Sequence, residues 1–363
     1  MSAQPPDPLA VAMKALDDNK PAEALAILKP LAAQEPKNLP ALFNLGLAHS
    51  LLAQDAEAAT AFTQVLAIEP GLYGAQLNLG QILLRLKKPA DAQPWIEKAL
   101  QQRPKELRPN LLLGDCLLDR KDFPAAEKHA RAALEIDPAS VEAWSTLGRA
   151  LDGQNRPEEA AAAFDKSNDQ PAAAAIRERR AVELLQSGKA ADAAALLERV
   201  VAQAPTTASR YALAVARLRA GDRAAAKAQA EEILKSEPAN FEPRMFLGRL
   251  LRDDRLFAPA AQQFIEAVKL KPESIEAWSE LSGMLIMLKQ YPQALASLDK
   301  LKSQQGETAA YWWFRATILD ALKDAKQALP AYERFLQLSQ GKSPDEEFKA
   351  RQRARILEKM VRK

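Results

Sequence analysis

Apolar residues recur along the chain at intervals of three and four, in stretches of about 13 residues that come in pairs. Such spacing places the apolar side chains on one face of an α-helix. In one pair, Leu42, Leu45 and His49 mark the first stretch, and Phe62 and Val65 mark the second. The pattern therefore predicts an all-α protein built from pairs of amphipathic helices.

The pairs follow a period of 34 residues. Seven prolines are separated by 34, 34, 34, 67, 33 and 34 residues, namely Pro36, Pro70, Pro104, Pro138, Pro205, Pro238 and Pro272. The eighth place of the period holds a small residue in every repeat: Ala12, Gly46, Gly80, Gly114, Gly148, Ala181, Ala214, Gly248, Ser282 and Ala316. Alanine occupies the twentieth place throughout, as in Ala58 and Ala260. Small residues let two helix backbones approach closely, and the proline ends the second helix.

This combination resembles the tetratricopeptide repeat (TPR). The aromatic positions agree, since tryptophan stands at the fourth place of three repeats and phenylalanine at the twenty-fourth of three: Trp144, Trp278, Trp312, Phe62, Phe164 and Phe264. The resemblance covers residues 5–342, as eight repeats of 34 residues and two of 33. It implies a right-handed superhelical solenoid of helix-turn-helix repeats with a concave and a convex surface, and a binding scaffold of the bacterial type.

The repeat pattern is interrupted at two points, one within the chain and one after the last repeat. The first lies between Ser167 and Arg180, where one residue of the period is lost, which predicts a bend or weak joint. We therefore expect repeats one to five over 5–173 and repeats six to ten over 174–342. The segment 343–363 predicts a capping helix with Ser343 as its N-cap, and its apolar side is expected to hold Phe348, Ile356, Leu357 and Met360.

The composition of the chain excludes several classes of partner and of site. The 50 basic and 47 acidic residues give a net charge of +3, too balanced to indicate a polyanion partner for the whole molecule. One Cys and two His exclude an internal disulfide and a thiolate zinc site. No apolar run approaches the roughly 20 residues of a membrane-spanning helix. We expect a soluble, cytoplasmic protein, or a periplasmic or secreted one if a leader precedes this sequence.

No set of residues with catalytic spacing is found. His49 is predicted to be partly buried and structural, His129 to be exposed on a second helix, and Cys116 to be a buried small apolar residue. Phosphate-binding loops, nucleophile elbows and metal-spaced clusters are missing from the sequence. We therefore expect neither an enzyme nor a cofactor.

In a TPR, the second, fifth, sixth, ninth, twelfth and thirteenth places of the first helices face the concave groove. The candidate partner-binding residues at these places are Phe43, Asn44, Leu47, Leu77, Asn78, Gln81, Arg108, Leu111, Asp115, Arg149, Tyr211, Met245, Arg249, Arg252 and Trp313. Apolar anchors alternate with charges there, which suits a peptide segment or helix of another protein. Asn44 and Asn78 are equally compatible with contacts to a peptide backbone and with a local role on the helix surface.

Two alternatives concern other partners. Solenoid ends or convex faces of several copies can join, which would make the chain a self-assembling structural protein. The segment 341–363 has eight basic and four acidic residues, a net of +4. Nucleic acid is disfavoured because no aromatic stacking set accompanies these cations, and dipole compensation within a capping helix accounts for them.

Overall fold

A computed structural model describes residues 7–362, and all regular secondary structure in that range is α-helical. The first helices of the ten repeats are α1 (Pro8–Asp17), α3 (Leu39–Leu51), α5 (Tyr73–Arg85), α7 (Leu107–Asp119), α9 (Val141–Gly153), α11 (Gln170–Gln186), α13 (Thr207–Arg219), α15 (Phe241–Asp253), α17 (Ile275–Met287) and α19 (Ala309–Ala321). The second helices are α2 (Pro21–Gln34), α4 (Asp55–Ile68), α6 (Pro89–Gln102), α8 (Phe123–Ile136), α10 (Pro157–Lys166), α12 (Ala190–Gln203), α14 (Arg223–Ser236), α16 (Phe257–Leu270), α18 (Tyr291–Gln305) and α20 (Ala325–Ser339). A last helix, α21, spans Pro344–Val361. The prediction of an all-α protein of paired helices is confirmed.

The helices start and stop where the repeat pattern places the signals. Before several first helices, the last residue of the preceding repeat accepts a hydrogen bond from a backbone N–H three residues on, as Asn38, Ser140, Ser274 and Thr308 do. Such a cap stabilises a helix by about 1 kcal/mol. The periodic prolines follow the second helices: α4 ends at Ile68 and Pro70 comes two residues later.

Between the two helices of each repeat, the fifteenth residue adopts a positive φ. The residues are Asn19, Ala53, Lys87, Lys121, Asn155, Gly188, Gly221, Arg255, Lys289 and Lys323, with φ between 55° and 88°. Glycine tolerates this left-handed conformation, and asparagine tolerates it better than most residues do. The other six turns hold alanine, lysine or arginine, so the repeat pattern of small residues did not reveal this constraint.

The eighth place is where the paired helices come closest. A Cβ built on Gly248 would lie 2.6 Å from the ring of Phe264, at the twenty-fourth place, and one on Gly46 would lie 2.9 Å from Phe62. A Cβ on Gly80 would also lie 3.6 Å from the backbone oxygen of Ala92, at the twentieth place. The small residues at the eighth and twentieth places therefore make room for the second helix, as the sequence predicts.

The described helices divide into two compact units, with the chain up to Arg180 in one and the chain from Ala181 onward in the other. Within each unit a helix packs mainly on the helices before and after it. The predicted grouping of repeats into 5–173 and 174–342 concerns the repeat register and stays a prediction. The segment from Ser167 to Arg180 is irregular in structure also, since α10 has 10 residues and α11 has 17.

Helix α21 packs on α20, but not through the face that the sequence indicates. Leu357 is buried as predicted, together with Ala350, but the prediction is wrong for Phe348, Ile356 and Met360, which are exposed. The buried residues of α21 are Glu347, Ala350 and Leu357. The Glu347 carboxylate accepts hydrogen bonds from Ser339 Oγ (2.7 Å) and the Gly341 N–H (2.6 Å). Ser343 occupies the N-cap position, yet its side chain makes no capping bond.

Two glycines on first helices allow a test of the close approach. Gly248→Ala should destabilise the protein, because the new Cβ meets the fully buried ring of Phe264 and overpacking costs about 1–3 kcal/mol. Gly283→Ala should stabilise it by up to about 1 kcal/mol, since a Cβ there meets no atom within 4 Å. Urea unfolding midpoints measure both, and a stabilised Gly248→Ala protein would contradict the packing account.

A second pair tests the left-handed turns. Ala53→Gly should raise the free energy of unfolding, by about 0.5–1 kcal/mol, because glycine lacks the Cβ clash at φ 55°. Gly221→Ala should lower it, and since a Cβ at Gly221 meets nothing within 4 Å, the loss would come from backbone conformation alone. Thermal and urea unfolding followed by circular dichroism provide the measurement. Equal stability of Ala53→Gly and the parent protein would rule out strain in this turn.

Candidate partner-binding surfaces

In the first unit, an apolar hollow lies beside Phe43. It encloses about 460 Å³ and is lined by Leu39, Pro40, Phe43, Asn44, Glu69, Leu72 and Gly74. The ring of Phe43 packs edge-on against Phe62, with centroids 5.5 Å apart. A Cβ on Gly74 would lie 3.3 Å from Phe43, so the glycine leaves the ring its room. Phe43 is half-buried and is fixed by the core behind it, which suits an anchor for an incoming apolar side chain.

A row of polar side chains follows on the next first helices of this unit. The Arg108 guanidinium donates to the side-chain oxygens of Gln81 and Asn78. Asp115 Oδ1 accepts from Thr146 Oγ1 (3.3 Å) and lies 3.6 Å from an Arg149 nitrogen. Desolvation by these crowded neighbours raises the pKa of Asp115, although half of its side-chain surface is open. About half of each side chain in the Asp115–Arg149 pair is exposed, so both charges are accessible to a ligand. Exposed pairs of this kind contribute little to stability.

The two candidate asparagines both make local contacts. Asn44 Nδ2 donates to the backbone oxygen of Pro40 (2.8 Å), one turn earlier on α3. Asn78 Oδ1 accepts from Arg108 (3.4 Å), a side chain of the next first helix. Each amide keeps hydrogen-bonding capacity beyond these contacts. Contact of these amides with a peptide backbone therefore stays a prediction.

In the second unit, the candidate arginines are held by carboxylates. Arg249 pairs with Glu276 and Glu280, and Arg252 donates to both oxygens of Glu280 at 2.6 and 2.7 Å. Tyr211 packs edge-on against Phe246, with centroids 5.6 Å apart, and desolvation raises the pKa of its hydroxyl.

Trp313 lies at the edge of the core formed by α19, α20 and α21. Its ring centroid is 5.2 Å from that of Phe335 and 6.1 Å from that of Tyr332. The side chain is half-buried, so one part supports the core while the rest stays accessible.

Three candidates are buried. Leu77 and Leu111 expose 4% and 9% of their surface, and Met245 exposes none, so a partner cannot reach them in this arrangement. All three stand at the fifth place of a repeat. Leu111 and Met245 share core clusters with Ala143 and Ala277, at the third place of the next first helix. In these repeats the next first helix covers Leu111 and Met245, and the prediction that Leu77, Leu111 and Met245 line the groove is corrected.

In the second unit, a depression that we call the slot lies between α17 and α19. It has a volume of about 220 Å³ and is lined by Ser279, Ser282, Gly283, Ile286, Leu298, Leu301, Gln305, Thr308, Ala310, Tyr311 and Phe314. Leu298 and Leu301 of α18 form its apolar floor. Ser279 and Gln305 stand at the rim, and their side chains form no hydrogen bond within the described chain. The slot can take one apolar side chain and offer hydrogen bonds to the backbone that carries it.

The slot exists because repeat nine has small residues where other repeats have large ones. Ser279 stands at the fifth place, where Phe43 and Met245 stand in other repeats, and Gly283 at the ninth, where Leu47 and Arg249 stand. None of the candidate residues predicted from the sequence lies in this run, because each place was compared across repeats and not with its neighbours in one repeat. A search for small residues at the fifth, eighth and ninth places of one repeat would have found it.

The residues with reactive side chains do not converge. Cys116 is buried, as predicted, and its thiol donates to the backbone oxygen of Pro89 (3.1 Å). His49 is partly buried, as predicted, with Nδ1 2.6 Å from Gln54 Oε1. The exposed placement of His129 is wrong: the ring is half-buried, its Nδ1 lies 3.1 Å from Asn110 Oδ1, and burial lowers its pKa.

Neither a metal site nor a membrane span emerges from residues 7–362. In that range no three His, Cys, Asp or Glu side chains are grouped so as to hold a metal ion. Over the same residues, every helix is too short or too polar to cross a bilayer.

Comparison with known proteins identifies the repeats. A tetratricopeptide repeat model matches residues 9–73, 52–106, 77–141 and 211–275, which together exceed half of the 363 residues, and a second such model matches 117–177. None of the curated proteins matches the chain.

Similar solved structures cover part of the chain. A MamA RS-1 double mutant is 25% identical, with a TM-score of 0.43, over 45% of this chain and 94% of that one. MamA residues 41 to the end, from Desulfovibrio magneticus RS-1, give the same identity and TM-score over 45% and 92%. YrrB, described as a TPR protein with an unusual peptide-binding site, is 21% identical with a TM-score of 0.42 over 45% and 84%.

Burial makes Cys116 unreactive. Desolvation raises the pKa of its thiol to about 11, so the thiolate is scarce near neutrality. We expect an aromatic disulfide reagent at mildly alkaline pH to leave the native protein unlabelled and to label one thiol after unfolding in urea. The chain has one Cys, so the signal reports this residue alone. Rapid labelling of the native protein would contradict the buried placement.

Proposed function

The chain belongs to the tetratricopeptide repeat family, and from that membership we propose that it is a scaffold whose first-helix faces bind a segment of another protein. Members of this family are generally protein-interaction scaffolds and generally not enzymes. The segment is an extended peptide or a helix that contributes at least one apolar side chain. The binding residues, the ligand and its conformation belong to the proposal.

The observation that carries the proposal is the slot in the second unit. It combines an apolar floor, Leu298 and Leu301, with a polar rim that has unused hydrogen-bonding groups. Ligand sites in proteins are typically apolar depressions with a few polar groups that fix orientation. A Leu, Met or Phe side chain would fill the floor, while Ser279 and Gln305 would bind the adjoining peptide groups.

The remaining accessible candidates lie on the first helices of both units. In the first unit these are Phe43, Asn44, Leu47, Asn78, Gln81, Arg108, Asp115 and Arg149; in the second unit they are Tyr211, Arg249, Arg252 and Trp313. Apolar anchors supply most of the binding energy in such interfaces, and rim charges adjust the association rate and its salt dependence. The partner is therefore expected to present an apolar anchor with both kinds of charge beside it.

A side chain that fills the slot should weaken peptide binding strongly without loss of the fold. In Gly283→Leu the new side chain enters the slot, because a Cβ on Gly283 meets nothing within 4 Å. Peptides selected by the parent protein from a phage-displayed random library should share an apolar anchor. They should bind Gly283→Leu at least tenfold more weakly, as fluorescence anisotropy with synthetic peptides measures.

Gly283→Ala is the matched control, because one methyl group leaves most of the slot open. It should bind the selected peptides nearly as the parent does. Peptides that bind parent and Gly283→Leu equally would refute the slot as the site. Mass that rises with concentration in light scattering, and that Gly283→Leu suppresses, would instead identify a second copy of the chain as the occupant and favour the self-assembling alternative.

A further inference from the structure

The outer face of α21 carries bulky apolar side chains that the core does not use. Phe348, Ile356 and Met360 expose 61%, 48% and 54% of their surface. Spacings of eight and four residues place them on one side of the helix, opposite the buried Ala350 and Leu357. The packing of α21 on α20 therefore leaves a second apolar face open.

A hollow extends this face toward the turn between α19 and α20. It encloses about 690 Å³ and is lined by Leu322, Lys323, Asp324, Ala325, Lys326, Met360 and Val361. Leu322 and Val361 are themselves 44% and 40% exposed. We call the combination of the outer α21 side chains and this hollow the α21 face.

The α21 face also concentrates positive charge. Lys323, Lys326, Lys349, Arg355 and Lys359 are exposed and form no ion pair with any residue from 7 to 362. The acidic groups of α21 and the adjoining turn are Asp324, Asp345, Glu346, Glu347 and Glu358. Asp324 accepts hydrogen bonds from Gln327 at the start of α20, Glu347 pairs with Arg351 and Glu358 with Arg362. Asp345 is exposed and Glu346 partly buried. Across the sequence, 341–363 has a net charge of +4, which leaves −1 for the other residues, 3 − 4 = −1.

The residue types of the α21 face favour a membrane surface over a protein or a nucleic acid as its binding partner. Protein interfaces are depleted in lysine, yet four of the five unpaired cations are lysines. Nucleic-acid surfaces use aromatic side chains for stacking, and Phe348 is the one aromatic residue of α21. Lysines interleaved with Phe, Ile, Met and Leu match the interfacial zone of a bilayer, where apolar side chains enter the acyl boundary and long cationic side chains reach the phosphates.

We propose that the α21 face docks on the surface of an anionic phospholipid bilayer. The apolar side chains insert shallowly, and the five cations contact lipid phosphates. The helix lies along the membrane plane and does not cross it. This inference is independent of the slot and of its ligand.

Vesicle flotation of the full chain tests the proposal, with vesicles of phosphatidylcholine alone or mixed with phosphatidylglycerol. The parent protein should float with the mixed vesicles and not with the neutral ones, and added salt should release it.

Lys326→Gln/Lys359→Gln should weaken binding about fivefold for each lysine removed. Phe348→Ser/Met360→Ser should weaken it more than tenfold, because the inserted apolar surface is lost.

A matched control changes the same residue types elsewhere. Lys37→Gln/Leu51→Ser replaces an exposed lysine and an exposed apolar residue of the first unit and should bind as the parent does. All substituted side chains are exposed, and circular dichroism melting checks that the variants fold.

Several results would overturn the proposal. Flotation with neutral vesicles as strong as with anionic ones, no flotation at all, or parent-like binding by either α21 variant would each do so. If a single-stranded RNA displaced the protein from vesicles and bound Phe348→Ser/Met360→Ser normally, the face would be a nucleic-acid surface instead.

Discussion

The close approach of two helix backbones at the eighth and twentieth places is the constraint on which the rest of the structure depends. At Gly46, Gly148 and Gly248, the phenylalanine at the twenty-fourth place of the same repeat sits directly against the backbone of the first helix. That contact sets the angle and depth at which the second helix packs. A small residue stands at the eighth place of every repeat, so differences in side-chain size at the other places decide where the surface is closed and where it is open.

The slot illustrates this dependence. Repeat nine keeps the small eighth residue, Ser282, whose hydroxyl is tied to Ser297 at 2.6 Å inside the helix pair. Ser282 thus keeps the helix pair closed. The fifth and ninth residues, Ser279 and Gly283, are also small, and they leave the surface between α17 and α19 open. In repeat nine, closure of the helix pair and opening of the surface are thus set by different places of the period.

The fold could be predicted because the 34-residue period runs through the whole chain, and one irregular repeat does not hide it. The individual surfaces could not be predicted, because the exposure of a residue depends on which neighbouring helix covers it. Leu77 and Met245 have the residue type and register of groove anchors, yet the next helix buries them. On α21, Phe348 and Leu357 are both large and apolar in sequence, yet Leu357 is buried on α20 beside Ala350 and Glu347 while Phe348 is exposed. The left-handed turns were missed because lysine and arginine gave no sign of them.

Packing mainly between sequence neighbours has a consequence for how each unit opens. Contacts of this kind have low contact order, which favours fast folding and permits partial unfolding from a free end or a weak repeat. Amide hydrogen exchange in such an arrangement is graded from repeat to repeat and does not report a single global event. Damage or strain in one helix pair then remains a local event, and the neighbouring pairs keep their protection.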